Sequence, residues 1–177
     1  MNQNISVIGA GTMGTGIAQV ASTYGCSVNL IDNVPEVLNR SKSNLQSILN
    51  RLVEKGKISK IDSVNVFSQI KWSNKIEDVL NSKLVIEAVI ENMELKQQIF
   101  AKIESLVSNA CIVATNTSSL SVTEIASICS NPSRVLGIHF FNPVSKMPLV
   151  EVIYNEQTSQ EVVDKSHAFV GQIDKLG

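Results

Sequence analysis

Ile5-Ser6-Val7-Ile8-Gly9-Ala10-Gly11-Thr12-Met13-Gly14, read together with Asp32, decides the fold of this 177-residue chain. A short apolar run leads straight into Gly-x-Gly-x-x-Gly, and helical periodicity begins at once. Met13, Ile17, Val20, Ala21 and Tyr24 share one face of a helix that Gly25 can close. A second apolar strand, Ser27 to Ile31, then delivers Asp32 at its carboxyl end. Strand, glycine turn, helix, strand and acid together make the unit that holds a dinucleotide. Gly9 serves the tight turn, Gly11 lets backbone approach a pyrophosphate, and Gly14 lets the helix lie close to the sheet. The helix amino end offers free N–H groups and partial positive charge to the phosphates. Asp32 can accept from both ribose hydroxyls and would repel a 2′-phosphate, so NAD is expected rather than NADP, with Arg40 the nearby cation that could offset this. The bland alternative is a tight turn with an exposed aspartate.

Composition sets outer bounds. The length fits one full core, and 44% hydrophobic with 18% charged residues is ordinary for a globular chain. A net charge of −1 speaks against nucleic acid or an anionic membrane as the main partner. No apolar run approaches the roughly 20 residues of a membrane span. The first strand starts almost at Met1, so no signal peptide is expected. Cys26, Cys111 and Cys129 are widely separated and lack a Cys-x-x-Cys, so neither metal nor disulfide is expected. These features suit the cytoplasm.

Downstream of Asp32, Pro35 and Glu36 suit a helix start, and Leu38, Leu45, Leu49 and Leu52 carry the stripe to Gly56. About twenty helical residues span roughly 30 Å. Ser59 caps a second short helix in which Ile61, Val64 and Phe67 are available for packing. This helical hairpin reads either as an added arm for a second anionic ligand or as a solvated face with snorkelling lysines. Ile70 to Trp72 reads as a third strand and Ile76 to Leu80 as a short helix. Leu84 to Val89 has the near-continuous apolar character of a buried parallel strand, running out into Ile90-Glu91-Asn92. A helix from Met93 to Val107 turns Leu95, Ile99, Ile103 and Leu106 inward, with Lys96 within pairing reach of Glu91. Ala110 to Ala114 is the next strand, emptying into Thr115-Asn116-Thr117-Ser118-Ser119, either a binding loop or a capped turn. Val122 to Ile128 is a short helix, Val135 to Pro143 an apolar strand with one histidine near its end, and Leu149 to Ile153 another strand. Thr158-Ser159 caps a last helix.

Oxidising an alcohol with NAD releases a proton, and histidine is the usual acceptor. Of the two present, His167 lies in an ordinary amphipathic helix and is read as structural or exposed. His139 ends an apolar strand and would need a carboxylate to support its cation; Glu151 is the natural partner. A satisfied core histidine with an edge-strand glutamate is the competing reading.

Five ordered motifs then carry a family resemblance. Gly9-Ala10-Gly11-Thr12-Met13-Gly14-Thr15-Gly16-Ile17-Ala18, Glu87 to Asn92, Asn116-Thr117-Ser118-Ser119-Leu120, His139-Phe140-Phe141-Asn142-Pro143 and Leu149-Val150-Glu151-Val152 closely resemble the 3-hydroxyacyl-CoA dehydrogenases, among bacteria the 3-hydroxybutyryl-CoA dehydrogenases. The resemblance implies an α/β, Rossmann-type doubly wound, mostly parallel sheet with a projecting helical hairpin. It implies an NAD-dependent oxidoreductase that interconverts L-3-hydroxyacyl-CoA and 3-oxoacyl-CoA in fatty-acid and butanoate metabolism. By position, Gly9, Ala10, Gly11, Thr12, Met13, Gly14 and Asp32 would hold the adenosine half of NAD, and Glu91, Lys96, Asn116 and Asn142 the rest. His139 would be the general acid/base, Glu151 its orienting partner, and Ser118 would bond the reacting oxygen and contact the acyl-CoA. Lys55 matches a CoA contact; Ile48 departs from a position where relatives place a serine, although Ser47 is adjacent.

The resemblance also implies a last strand and a helical domain beyond Gly177, which makes the homodimer and supplies an asparagine. Residues 1–177 are therefore expected to be the NAD-binding domain, able to bind NAD but poor in turnover, with apolar surface left uncovered. Two enzymes remain as alternatives: a gulonate-type dehydrogenase, and a 6-phosphogluconate-like one against which the His139–Glu151 pair argues. A nucleotide-binding module without chemistry is the third.

Overall fold

The computed structural model describes residues 3–177. A single seven-stranded sheet runs in the order β3-β2-β1-β4-β5-β6-β7. Its strands are β1 (Asn4–Ile8), β2 (Ser27–Ile31), β3 (Ile70–Ser73), β4 (Leu84–Glu87), β5 (Ile112–Thr115), β6 (Val135–Phe140) and β7 (Val150–Ile153). All neighbours pair in parallel except β6 and β7, which are antiparallel. The order reverses between β1 and β4, because β2 and β3 extend one way and β4 to β6 the other. That reversal opens a crevice at the strands' carboxyl ends, where doubly wound folds bind ligands. The expected Rossmann-type sheet is thus present.

Period-two alternation explains why both sheet faces are covered. Ile5, Val7, Leu84, Ile86, Ile112, Ala114, Leu136 and Ile138 point into one cluster. It is closed by Ile17 of α1 (Thr12–Thr23), Leu45 of α2 (Pro35–Glu54) and Phe169 of α6 (Gln160–Gln172). Ile8, Val85, Val113 and Val135 point the other way. There they meet Phe100 and Ile103 of α4 (Met93–Leu106) and Ile125 of α5 (Val122–Ala126).

The hairpin of α2 and α3 (Lys60–Ser68) turns at Gly56, whose φ of +63° favours a residue without Cβ. A capping box of Ser59 and Asp62 starts α3. Its packing differs from expectation: Ile61 and Val64 are exposed, while Ser63 and Val66 are buried and Phe67 packs against Trp72. Ile61 and Val64 lie three residues apart and so share a face, and the turn into β3 points that face outward.

Helix α4 is rotated by about one residue from the expected stripe. Lys96, Phe100, Ile103 and Val107 are buried, whereas Leu95, Ile99 and Leu106 are half-buried. The charge of Lys96 hid this from a reading based on apolar periodicity; its two carboxylate partners draw it inward, as described below.

Candidate cofactor and catalytic site

The glycine turn is built by close approach. Gly9 sits at φ +102°, and its N–H donates to the Ile31 carbonyl at 2.7 Å. A Cβ at Gly9 would lie 2.6 Å from the Ala88 oxygen, and one at Gly14 only 1.7 Å from the Gly9 oxygen. A Cβ at Gly11 would meet nothing within 4 Å. Gly9 and Gly14 are therefore required by the protein itself, whereas the room over Gly11 is used by nothing in the chain. The helices α3, α4, α5 and α6 are capped by Ser59, Asn92, Ser121 and Ser159, and α2 begins at Val34 without a side-chain cap; at the glycine turn, α1 likewise has no side-chain cap. Its first N–H groups are left for a ligand, and a phosphate fits them by charge and by hydrogen bonding.

These facts separate two glycine substitutions. Gly14→Ala should lower thermal stability, because the Gly9 carbonyl must move. Gly11→Ala should leave the melting temperature nearly unchanged yet weaken NADH binding at least tenfold. Melting curves and fluorescence titrations of both variants check this; unaltered affinity in Gly11→Ala would remove the phosphate from that turn.

Asp32 secures the same turn from the side. Its Oδ2 accepts from Ala10 N–H at 2.9 Å and its Oδ1 from Val34 N–H at 3.0 Å. Each oxygen keeps a lone pair that a ribose hydroxyl can use. Beside it opens a cleft of about 720 Å³ lined by Gly11, Asp32, Val37, Val89, Leu95 and Ile99, among others. The half-buried stripe of α4 thus walls the cleft. Apolar walls with an acid and a phosphate cradle at one end fit the adenosine half of a dinucleotide.

The carboxyl end of β4 carries a buried ion network. Glu87 is 0% exposed and Lys96 1% exposed, with Nζ donating to Glu87 Oε1 at 2.7 Å. Glu87 Oε1 also accepts from Val89 N–H, and its Oε2 from Thr115 Oγ1, each at 2.7 Å. Lys96 Nζ reaches Glu91 Oε2 at 3.1 Å, the pairing expected from their spacing. Glu91 Oε1 accepts from Thr117 Oγ1 at 2.7 Å and from Ser118 N–H at 2.9 Å. Burial would push the Glu91 carboxyl up, but these donors and the ammonium hold it down at about 2. It is therefore a carboxylate at any working pH. Glu87 escaped the sequence reading as a site residue because it lies inside an apolar strand; the matching buried lysine nine residues on was the available signal. Lys96 itself is enclosed and reaches the site through Glu91 and the loop.

His139 and Glu151 meet across the β6–β7 ladder as directly paired residues. His139 Nδ1 lies 2.8 Å from Glu151 Oε2, with the two side chains 14% and 50% exposed. A carboxylate only accepts, so Nδ1 donates and Nε2 is left as the basic nitrogen. Phe141 packs on the imidazole, ring centroids 4.5 Å apart. Asn116 Oδ1 accepts from Phe140 N–H at 2.8 Å, which ties the polar loop after β5 to the strand end that carries His139.

The remaining expected residues are less gathered. Asn142 and Thr12 line a second cavity of about 340 Å³ with Gly11, Asn44 and Ile48. It meets the first at Gly11 and Arg40, and Gly16 lets Val144 close its wall, since a Cβ there would lie 3.0 Å from Val144. Ser118 is exposed beside Glu91 and Lys55 is exposed beyond the end of α2, and neither lines either cavity. His167 is exposed on α6. Cys26, Cys111 and Cys129 are buried, which pushes the last two thiols up to about 11 and keeps them protonated.

Fold and site together define a dinucleotide-binding domain with a histidine–carboxylate pair at the strands' carboxyl edge. Residues 4–177 match the family described as "3-hydroxyacyl-CoA dehydrogenase, NAD binding domain", and the chain belongs to that family. It is 39% identical over 172 residues to a 3-hydroxybutyryl-CoA dehydrogenase of Clostridioides difficile, which covers 97% of this chain and 61% of that protein. It is 42% identical over 159 residues to a probable 3-hydroxybutyryl-CoA dehydrogenase of Bacillus subtilis, covering 90% and 55%. The crystal structure of 3-hydroxybutyryl-CoA dehydrogenase from Escherichia coli K12 superposes with a TM-score of 0.96 at 37% identity, covering 99% of this chain and 37% of that one. The chain therefore spans at most about three fifths of these relatives.

Proposed function

We propose that this chain holds NAD and supplies the acid/base pair of an enzyme that interconverts L-3-hydroxyacyl-CoA and 3-oxoacyl-CoA. The observation that carries the reading is the 2.8 Å contact between His139 Nδ1 and Glu151 at the edge of the dinucleotide crevice. When bound, the nicotinamide supplies the hydride acceptor. His139 Nε2 takes the proton of the substrate's 3-hydroxyl during oxidation and returns it during reduction. Glu151 fixes the tautomer and stabilises the imidazolium, its half-exposed carboxylate keeping the charge tolerable. The Ser118 hydroxyl, on a loop pinned by Glu91, donates to the reacting oxygen. Gly9 to Gly14 and Asp32 hold the adenosine half, Asn142 and the Asn116 loop line the path beyond, and Lys55 meets the CoA nucleotide. The assembled protein works as a homo-oligomer on a CoA thioester rather than on a nucleic acid or a membrane surface.

Two measurements test the proposal. Fluorescence titration of the 177-residue chain should show NADH bound at least tenfold more tightly than NADPH, because Asp32 faces the 2′ position. NADH-linked reduction by the whole protein, of which residues 1–177 form the cofactor domain, should proceed with acetoacetyl-CoA and not with the oxidised form of L-gulonate. Equal binding of the two cofactors would remove Asp32 as the selector, and preference for the sugar acid would remove the thioester.

A further inference from the structure

The network at the end of β4 holds two carboxylates against one ammonium, with every member engaged. Glu87 and Glu91 flank Lys96 at 2.7 and 3.1 Å, so the cluster carries one net negative charge. Glu87 and Lys96 are sealed from water, and the uncompensated charge emerges at Glu91, whose side chain is 39% exposed. Glu91 stands where the turn after β4 meets the turn after β5, bonded to Thr117 and Ser118. The adenosine end of the crevice is marked by Asp32 on the β2 side of the switch point. A dinucleotide lying across the reversal of strand order must then place its other end over β4 and β5. Its two redox forms differ there by one charge: the oxidised nicotinamide ring is cationic and the reduced ring is neutral.

We propose that Glu91 is a specificity-determining charge that makes this site hold the oxidised cofactor more tightly than an otherwise identical neutral site would. The inference rests on the dinucleotide reading above and goes beyond it. The buried pair is what makes the device work. Lys96 would neutralise Glu91 if it were alone, but its charge is already matched by Glu87. Glu91 is therefore left at the carboxyl end of β4 as an effectively free anion, still anchored by Lys96 and the loop. A unit charge several ångströms from the ring, half in water, should shift the ratio of affinities on the order of 3–10-fold, and added salt should erode the effect.

Calorimetric titration of the chain with NAD and, separately, NADH reads this ratio without any need for turnover. Glu91→Gln keeps the side chain's shape and most of its hydrogen bonds but deletes the charge. It should weaken NAD binding about 3–10-fold more than NADH binding. Glu91→Asp, which keeps the charge, should preserve the wild-type ratio even where both affinities fall. A Gln variant that weakens both forms by one common factor would overturn the proposal and leave Glu91 a loop anchor. A wild-type chain that binds neither form would instead overturn the dinucleotide reading itself.

Discussion

Replacement of Glu87 by alanine is expected to cost the chain about 3–5 kcal/mol of folding stability, the cost of stranding one member of a buried ion pair. Lys96 would be left 1% exposed with only Glu91 to meet it, and Val89 N–H and Thr115 Oγ1 would lose their acceptor. A loss of that size is a large share of the roughly 5–15 kcal/mol that holds a domain together. The double replacement Glu87→Leu with Lys96→Met should recover much of it, since a buried pair exchanged for apolar side chains of similar volume is often near neutral. Urea unfolding of Glu87→Leu, of Lys96→Met and of the double variant measures the coupling. Additive losses, with no recovery in the double variant, would show that the two charges do not depend on each other. The network also ties down the polar loop after β5. Thr115 gives its hydroxyl hydrogen to Glu87 and accepts from Thr117 N–H at 3.2 Å, so the buried pair reaches Ser118 through backbone as well as through Glu91.

In the whole protein, replacement of His139 by asparagine should lower the rate of NADH-linked acetoacetyl-CoA reduction by about 10²–10⁴-fold, the usual share of a positioned acid/base. NADH affinity should stay within about twofold, because His139 lies on β6 and the phosphate cradle on α1. Glu151→Gln should give a smaller loss than His139→Asn, since an amide can still accept from Nδ1 but cannot balance an imidazolium. Rates and binding constants measured on the same preparations separate the two roles. Activity that survives His139→Asn would return the pair to a structural bridge between β6 and β7, and the proton would need another acceptor.

How far each feature was legible follows from its range along the chain. The glycine turn, the first two strands and Asp32 were readable because their interactions span some two dozen residues and follow a fixed backbone pattern. The Glu91–Lys96 contact was readable for the same reason, being a local matter of helix entry. The faces of α3 and α4 were not. Ile61 and Val64 have the chemistry of core residues and Lys96 does not, yet burial chose the opposite in each case. Which face of a helix points inward depends on the strand that follows it and on charges brought up from elsewhere.

By itself the order of residues determined the doubly wound class and the dinucleotide turn, because strand periodicity and glycine spacing are properties of short segments, and it put His139 and Glu151 forward only as candidates for a pair. Only the tertiary structure decided that those two residues touch. A register of β6 against β7 shifted by one residue would have put them on opposite faces of the sheet. It also decided that Glu87, the last residue of β4, is an ion-pair partner, since a carboxylate without water needs donors, and Val89 N–H, Lys96 Nζ and Thr115 Oγ1 converge on it only in the fold.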